Sequence, residues 1–361
     1  MYEVRQMIYS SLAAAFLSVT ALANAQGGDT DTQVGVKRLF ADSTPLTITI
    51  EAPLTTLMDE RPEEEYLDGK FSFTSDDGTE RTIDLKIRVR GSYRLEKEHC
   101  DFAPIRLNFR KKQVADTIFA GQDKLKLVTH CRNRNRHYKQ LLLREYLAYR
   151  ILQVMTEKSY GVRLLQINYI DTEGGKPLTK HGFVIEDDDD VAARNGMVSI
   201  KRSRLSAGDL ERRQQNLVNV FQYLIGNTEY SLFNPEPDKH CCHNMDFMSA
   251  TEEPPFTPFP FDFDFAGIVN APYAQPNPRF EHENVRQRLY RGQCTNNDLL
   301  PDTLQQFVDR KAAIYGVVDE LESLNSRSRR YVTGYLDSFF KHISEPKSVT
   351  ARFIDKCEDA P

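Results

Sequence analysis

Asn227-Thr228-Glu229, His243-Asn244 and Asp262-Phe263-Asp264 follow one another in an order that suits phosphoryl transfer. In such a site an acidic side chain orients the attacking hydroxyl, while an amide oxygen and a carboxylate hold divalent metal against the phosphates. Glu229 lies just past an apolar stretch that ends at Gly226, with Asn227 beside it, and can serve as the proton acceptor. The competing reading of Gly226-Asn227 is structural, because Gly and Asn often terminate helices. Two asparagines qualify as metal ligand. Asn234 has the five-residue separation from Glu229 found in many kinases, but Pro235-Glu236-Pro237 reads as an inserted loop, so Asn244 is preferred. Strand alternation predicts that Asp262 and Asp264 share one face while Phe261, Phe263 and Phe265 pack on the other. Converging carboxylates repel each other and attract a hard divalent cation. The plainer alternative is the solvent face of an edge strand.

Other segments could supply the phosphate side. Lys124 and Lys126 alternate on one strand, and Glu145 on the helix that follows could pin Lys126 by an ion pair. Arg88-Val89-Arg90-Gly91-Ser92 could make a backbone-rich phosphate turn, and Glu186 marks a hinge position where an adenine would sit. No G-x-x-x-x-G-K-[ST] run occurs, which argues against a P-loop. The basic run Cys131–Lys139 suits either an acidic ligand or a solvated loop, and Asp187–Asp190 lacks EF-hand spacing and reads as a solvated turn.

The elements that must hold these groups fall into two blocks. Period-two alternation over Leu46–Ile50, Lys70–Phe73, Ile83–Arg90, Pro104–Phe109 and Lys124–Val128 predicts antiparallel strands. Tyr138–Thr156 has helical spacing, Leu164–Ile170 and His181–Glu186 return to strand, and Leu210–Ile225 is a second helix. Residues 300–345 are again helical in period. The expected fold is α+β and two-lobed, with a β-rich N-lobe over 41–190 that includes one long helix and a mostly helical C-lobe over 191–361.

Residues 1–25 read as a secretory signal, with Arg5 at its start, an apolar run Ile8–Leu22 and the cleavage pattern Ala23-Asn24-Ala25. A Gly/Asp/Thr-rich tether is expected over 26–40. Nothing downstream is long and apolar enough to span a membrane, so the expectation is a secreted or periplasmic chain. The formal charge of -5 gives no nucleic-acid footprint. Six cysteines in an exported chain favour disulfides over metal ligation; fifteen connectivities are possible, and Cys100 with Cys131 is a pairing suggested only by their shared N-terminal region.

Taken together, Arg90-Gly91-Ser92, Lys124–Val128, Leu143–Arg150, Gly182–Glu186, Ile225–Glu229 and Asp262-Phe263-Asp264 resemble the spore-coat protein H (CotH) kinase-like family, an atypical secreted branch of the protein-kinase-like fold. The Asn-Thr-acid segment also looks like the catalytic loop of HipA-type kinases. The likeness covers roughly Ile83–Gly267. It implies ATP and Mg2+ (or Mn2+) as cofactors and a protein hydroxyl in the cell envelope as acceptor. It implies Lys126, Arg90 and Glu186 at the nucleotide, Glu145 supporting Lys126, Glu229 and Asn227 in the catalytic loop, and Asn244, Asp262 and Asp264 on metal. The chain departs from the pattern at Glu229, where such families carry Asp. A pseudokinase binding or assembly module and a metal-dependent hydrolase are the other readings.

Overall fold

The strand-forming first half closes on itself. In the computed structural model, which describes residues 35–75, 77–233 and 242–359, seven strands among those residues form a barrel. They are β1 (Leu46–Ala52), β2 (Leu67–Thr74), β3 (Glu80–Val89), β4 (Ile105–Phe109), β5 (Lys124–Val128), β6 (Val162–Asp171) and β7 (Leu178–Ile185). Their order is β1-β2-β3-β4-β5-β7-β6, antiparallel throughout except where β6 returns parallel to β1 and seals the sheet, with Leu46 opposite Leu165 and Ala52 opposite Asp171. Alternation sends Ile48, Ile50, Phe71, Leu85, Ile87, Leu107, Leu125 and Leu127 inward. Phe71 sits edge-on to Phe109 at 5.0 Å and to Phe119 at 5.1 Å, in an aromatic cluster within the barrel that also holds Phe73. Such ring pairs add about 0.5–1.5 kcal/mol each beyond burial.

Two short helices, α1 (Leu54–Glu60) and α2 (Lys111–Val114), lie between barrel strands. The long helix α3 (Arg136–Met155) starts at the N-cap Asn135, whose side chain accepts from the His137 amide, and buries 13 of its 20 residues. Its apolar residues, together with buried Gln140, Arg144 and Glu145, enclose α3 in a core that also takes in Val128, Leu164, Phe183 and Ile185 from the outer barrel wall. The same core continues into α5 (Arg212–Ile225), α6 (Leu300–Asp309), α7 (Lys311–Glu320) and α8 (Ser326–Ser344), while α4 (Asp188–Arg194) follows β7. A second antiparallel sheet, in the order β10-β9-β8, comprises β8 (Val198–Ile200), β9 (Met245–Ser249) and β10 (Thr257–Pro260).

The two-lobed, kinase-like expectation is therefore corrected. The N-terminal strands form a closed mixed barrel, and one continuous core joins its outer wall to the C-terminal helices through α3. Individual strands and helices fall close to where the periodicity put them, but parallel closure by β6 leaves no alternation signal. Asp187–Asp190 is no loop: Asp187 caps α4 and the next three aspartates form its first turn, where negative charge suits the helix dipole. Within the expected tether, Arg38–Phe40 is a 3-10 turn with Leu39 and Phe40 buried. The expected signal, Asn234, Pro235–Pro237 and Cys241 lie outside the described residues.

Disulfides join Cys100 to Cys131 and Cys294 to Cys357, and Cys242 is disulfide-bonded as well. That usage fits an oxidising compartment. Among the described residues no helix is long and apolar enough to cross a membrane.

Candidate functional site

The segments singled out by their chemistry converge beside α3, held there by backbone. At the end of α5, Gly226 adopts φ 67 and closes the helix through its amide, as a C-cap does. The Gly226 carbonyl then accepts from the Gly267 amide and the Ile225 carbonyl from Ile268, both at 2.9 Å. These two bonds tie the Asn227–Glu229 turn to the segment carrying Asp262 and Asp264. Asn227 is buried, and its Oδ1 accepts from the Glu229 amide at 2.9 Å. Asn244 donates from Nδ2 to the Glu229 carbonyl at 2.9 Å, and its own carbonyl accepts from Phe261. Glu229, Asn244 and the start of Phe261-Asp262 are thereby stitched into one loop cluster, with His243 Nε2 at 3.8 Å from the Glu229 carboxylate.

The acidic pair is not on a strand. β10 stops at Pro260, and Asp262 takes φ 56 with its amide donating to Tyr149 Oη at 2.9 Å. That left-handed residue breaks the alternation, so the two carboxylates differ in setting: the Asp262 side chain is 44% exposed and Asp264 is 7% exposed. Phe263 packs into the core against Tyr149 and Phe221, as its apolar type demands.

Arg94 ties the acids together. It sits in the turn after β3, with one fork on Glu145 at 3.2 and 3.3 Å, Nε at 3.3 Å from Asp264, and Nη2 at 3.9 Å from Asp262. Tyr273 Oη donates at 3.0 Å to the same Asp264 oxygen, Oδ2, that Arg94 Nε faces. Burial pushes the Glu145 carboxyl up to about 7, with Arg94 opposing and Asp262 adding repulsion. Asp264 is pushed well above the usual carboxylate range by burial, again against Arg94, with Asp262, Glu145 and Glu229 reinforcing the rise. Arg94 and Arg90 both act on these acids, and the raised pKa values show that burial favours the protonated form of Glu145 and Asp264.

A cationic wall faces them. Arg88 pairs in register with Arg106, and Arg106 with Lys126, on the outer barrel surface. The Nε atoms of Arg88 and Arg106 are buried without a protein partner. Burial lowers the Arg90 pKa while Asp262 raises it and Arg106 and Arg94 depress it further, which puts all four charges within one another's field. Lys126 does not reach Glu145. It pairs with Asp188 at the start of α4 at 2.5 Å and lies 5.8 and 6.0 Å from the Tyr160 and Phe261 rings. Beside it Tyr160 donates to Asp246, whose carboxyl is pushed up to about 6 by burial and by Asp188, with the Tyr160 bond and Lys126 opposing.

Of the expected residues, Arg90, Glu145, Asn227, Glu229, Asn244, Asp262 and Asp264 are brought together, and Lys126 stands one step along the same wall. Glu186 is not with them. It directly follows β7, and its fully buried carboxylate is held by Arg194 at 3.0 Å and by the Gly161 amide at 2.8 Å. The expected Lys126–Glu145 pair is replaced by Arg94–Glu145. Arg94, Tyr149, Asp188, Asp246 and Tyr273 were missed. Asp246 had a signal, a lone carboxylate inside the apolar run Met245–Met248, whereas Arg94 sits in a loop with no period to mark it.

No family model matches this chain, and no curated protein shows significant similarity to it.

The donor set suits a hard divalent ion in part. Asp262 offers a half-exposed carboxylate and Asn244 an amide oxygen in the same loop cluster, whereas Asp264 is already engaged by Arg94 and Tyr273. Among the described residues, the group of three His, Cys, Asp or Glu side chains whose ligand atoms come within metal-ligand reach of one another is Glu96, Glu98 and His99, not the Asp262 cluster.

Proposed function

We propose that this chain is an exported, metal-dependent phosphotransferase that moves the γ-phosphoryl group of a nucleotide to a protein hydroxyl. One observation carries the reading. Arg94 holds Glu145 and Asp264 in a buried ion cluster directly beside the half-exposed Asp262, with Asn244 and Glu229 joined to the same loop cluster. Residues from five separate stretches thus meet in one cluster, and that convergence supports the reading.

In this reading Asp262 and Asn244 hold Mg2+ or Mn2+, which supplies charge neutralisation on the phosphates. Arg90, Arg106 and Lys126 line the phosphate side. Arg94 is a positioning residue that fixes Glu145 and Asp264 and thereby the turn carrying Asp262. Glu229 accepts the proton of the acceptor hydroxyl as its oxygen bonds to the γ-phosphorus. The bond to the β-phosphate oxygen breaks and the nucleoside diphosphate leaves. The likeness to the CotH kinase-like family supports this assignment of roles, though the barrel architecture differs from that expectation.

A second reading has its own observation. The Arg94 guanidinium sits among the carboxylates and neutralises part of the charge a metal would meet, and Glu229 is one methylene longer than the family's Asp. That favours a non-catalytic envelope module that binds nucleotide without turning it over. Incubating the disulfide-intact chain with γ-labelled ATP, Mn2+ and a hydroxyl-bearing acceptor protein separates the two. The first reading expects label transfer that falls at least a hundredfold in Glu229→Gln. Nucleotide binding with no transfer, unchanged in Glu229→Gln, supports the second.

A further inference from the structure

At the N-terminal end of α3 lies a cavity of about 450 Å3, bounded by the approach to α3, by β7 and by Asn325 ahead of α8. Four fixed cations line it, Arg132, Arg136, Lys139 and Lys180, and among its lining residues there is no Asp or Glu. Like charges gathered around one space repel each other, so the arrangement costs stability unless something negative enters. The chemistry of the walls agrees. Lys139 has its pKa lowered by burial, and His181, beside it, is lowered to about 4 by burial and by the Lys139 charge.

His130 lines the same cavity and is 2% exposed. Nε2 bonds to Asn133 Oδ1 at 2.6 Å, and Nδ1 is buried with no protein partner. With Nε2 donating to the Asn133 oxygen and burial lowering its pKa to about 4, the ring is neutral and Nδ1 is an acceptor, so the positive charge of the cavity comes from the Arg and Lys side chains alone. The Cys100–Cys131 disulfide and the Lys180 bond to the Asn133 carbonyl at 2.6 Å pin the loop around it. The 20-residue α3 also turns its N-terminal amides toward this end of the fold, where a helix dipole favours negative charge.

We propose that this cavity is a binding site for a doubly charged oxyanion, phosphate or sulfate, free or carried on an ester. Arg136 and Lys139 on the first turn of α3, with Arg132 before it and Lys180 on β7, supply the charge. The site is separate from the Arg94 cluster and does not depend on the chemistry proposed there.

Calorimetric titration of the full disulfide-intact chain with inorganic phosphate at low salt tests it, with chloride at matched ionic strength as control. Saturable binding is expected, weakened at least tenfold in Arg136→Ala/Lys139→Ala, both partly or fully solvent-facing positions whose loss leaves the melting temperature without phosphate little changed. Arg106→Ala, on the other cationic wall, is expected to retain the affinity. Binding lost in Arg106→Ala but kept in the double variant, or no binding beyond the chloride control, overturns the proposal. Competition by O-phosphoserine distinguishes the sources: displacement at lower concentration than free phosphate identifies the ester form.

Discussion

Arg94 decides how the acidic groups behave. Its guanidinium is 11% exposed and contacts Glu145 and Asp264, both buried, so removing it strands two carboxylates in low dielectric. Breaking such a network typically costs about 3–5 kcal/mol, and Arg94→Ala is expected to lose stability of that order in denaturant unfolding. Arg94→Lys should recover only part, because an ammonium cannot offer the same fork. Asp246 gives the pH-dependent counterpart. Its folded pKa is about 6 against an ordinary 3.8, with burial as the leading cause, so the folded state holds its proton more tightly than the unfolded state. Stability from this group therefore falls as pH rises through the window between those values, and the cost is complete above it. Asp246→Asn keeps an acceptor for Tyr160 and is expected to stabilise at pH 8 by up to about 3 kcal/mol. Unfolding midpoints of variant and parent should converge near pH 4; a constant gap across pH would show that the charge is not the cause.

Among the elements, the turn closing α5 does most to place the site. At Gly226 a Cβ would stand 1.9 Å from Tyr335 Oη, and the left-handed backbone itself disfavours any other residue by about 1–2 kcal/mol. Gly226→Ala is expected to lower stability by more than that and to weaken nucleotide binding, since the Gly226 carbonyl anchors Gly267. Thermal melting and nucleotide titration on the same variant check both effects. The disulfides act on longer segments, spanning separations of 31 and 63 residues. Chain-entropy arguments assign about 4 kcal/mol to each, so reduction under native conditions should drop the denaturation midpoint sharply. The helix C-cap and the Cys100–Cys131 pairing were legible from residue types and proximity in the chain. The acidic strand was not: Pro260 ends β10, and Asp262 turns into left-handed backbone supported by Tyr149, a contact 113 residues distant that no alternation pattern encodes.

For the whole molecule, periodicity located the barrel strands and the long helices but left their arrangement open. Antiparallel neighbours such as β2 and β3 follow from short connections, whereas the parallel return of β6 to β1 pairs residues more than a hundred positions apart. The closed barrel and the enclosure of α3 come from that pairing and from an apolar surface on α3 wider than one stripe. The site groups were recognisable by type, yet their partners were exchanged: Arg94 took the role expected of Lys126, and Lys126 went to Asp188. Loop residues with no period are where such exchanges hide. The barrel leaves the cationic row of Arg88, Arg106 and Lys126 on its outer wall. Whether that wall and the carboxylates act together is open to direct test by calorimetry of ATP, with and without Mg2+, on the disulfide-intact chain and on Asp262→Asn. Saturable binding that requires the metal and weakens at least tenfold in the variant is the expected result. Absence of binding, or binding indifferent both to metal and to Asp262, would contradict a shared metal–nucleotide pocket.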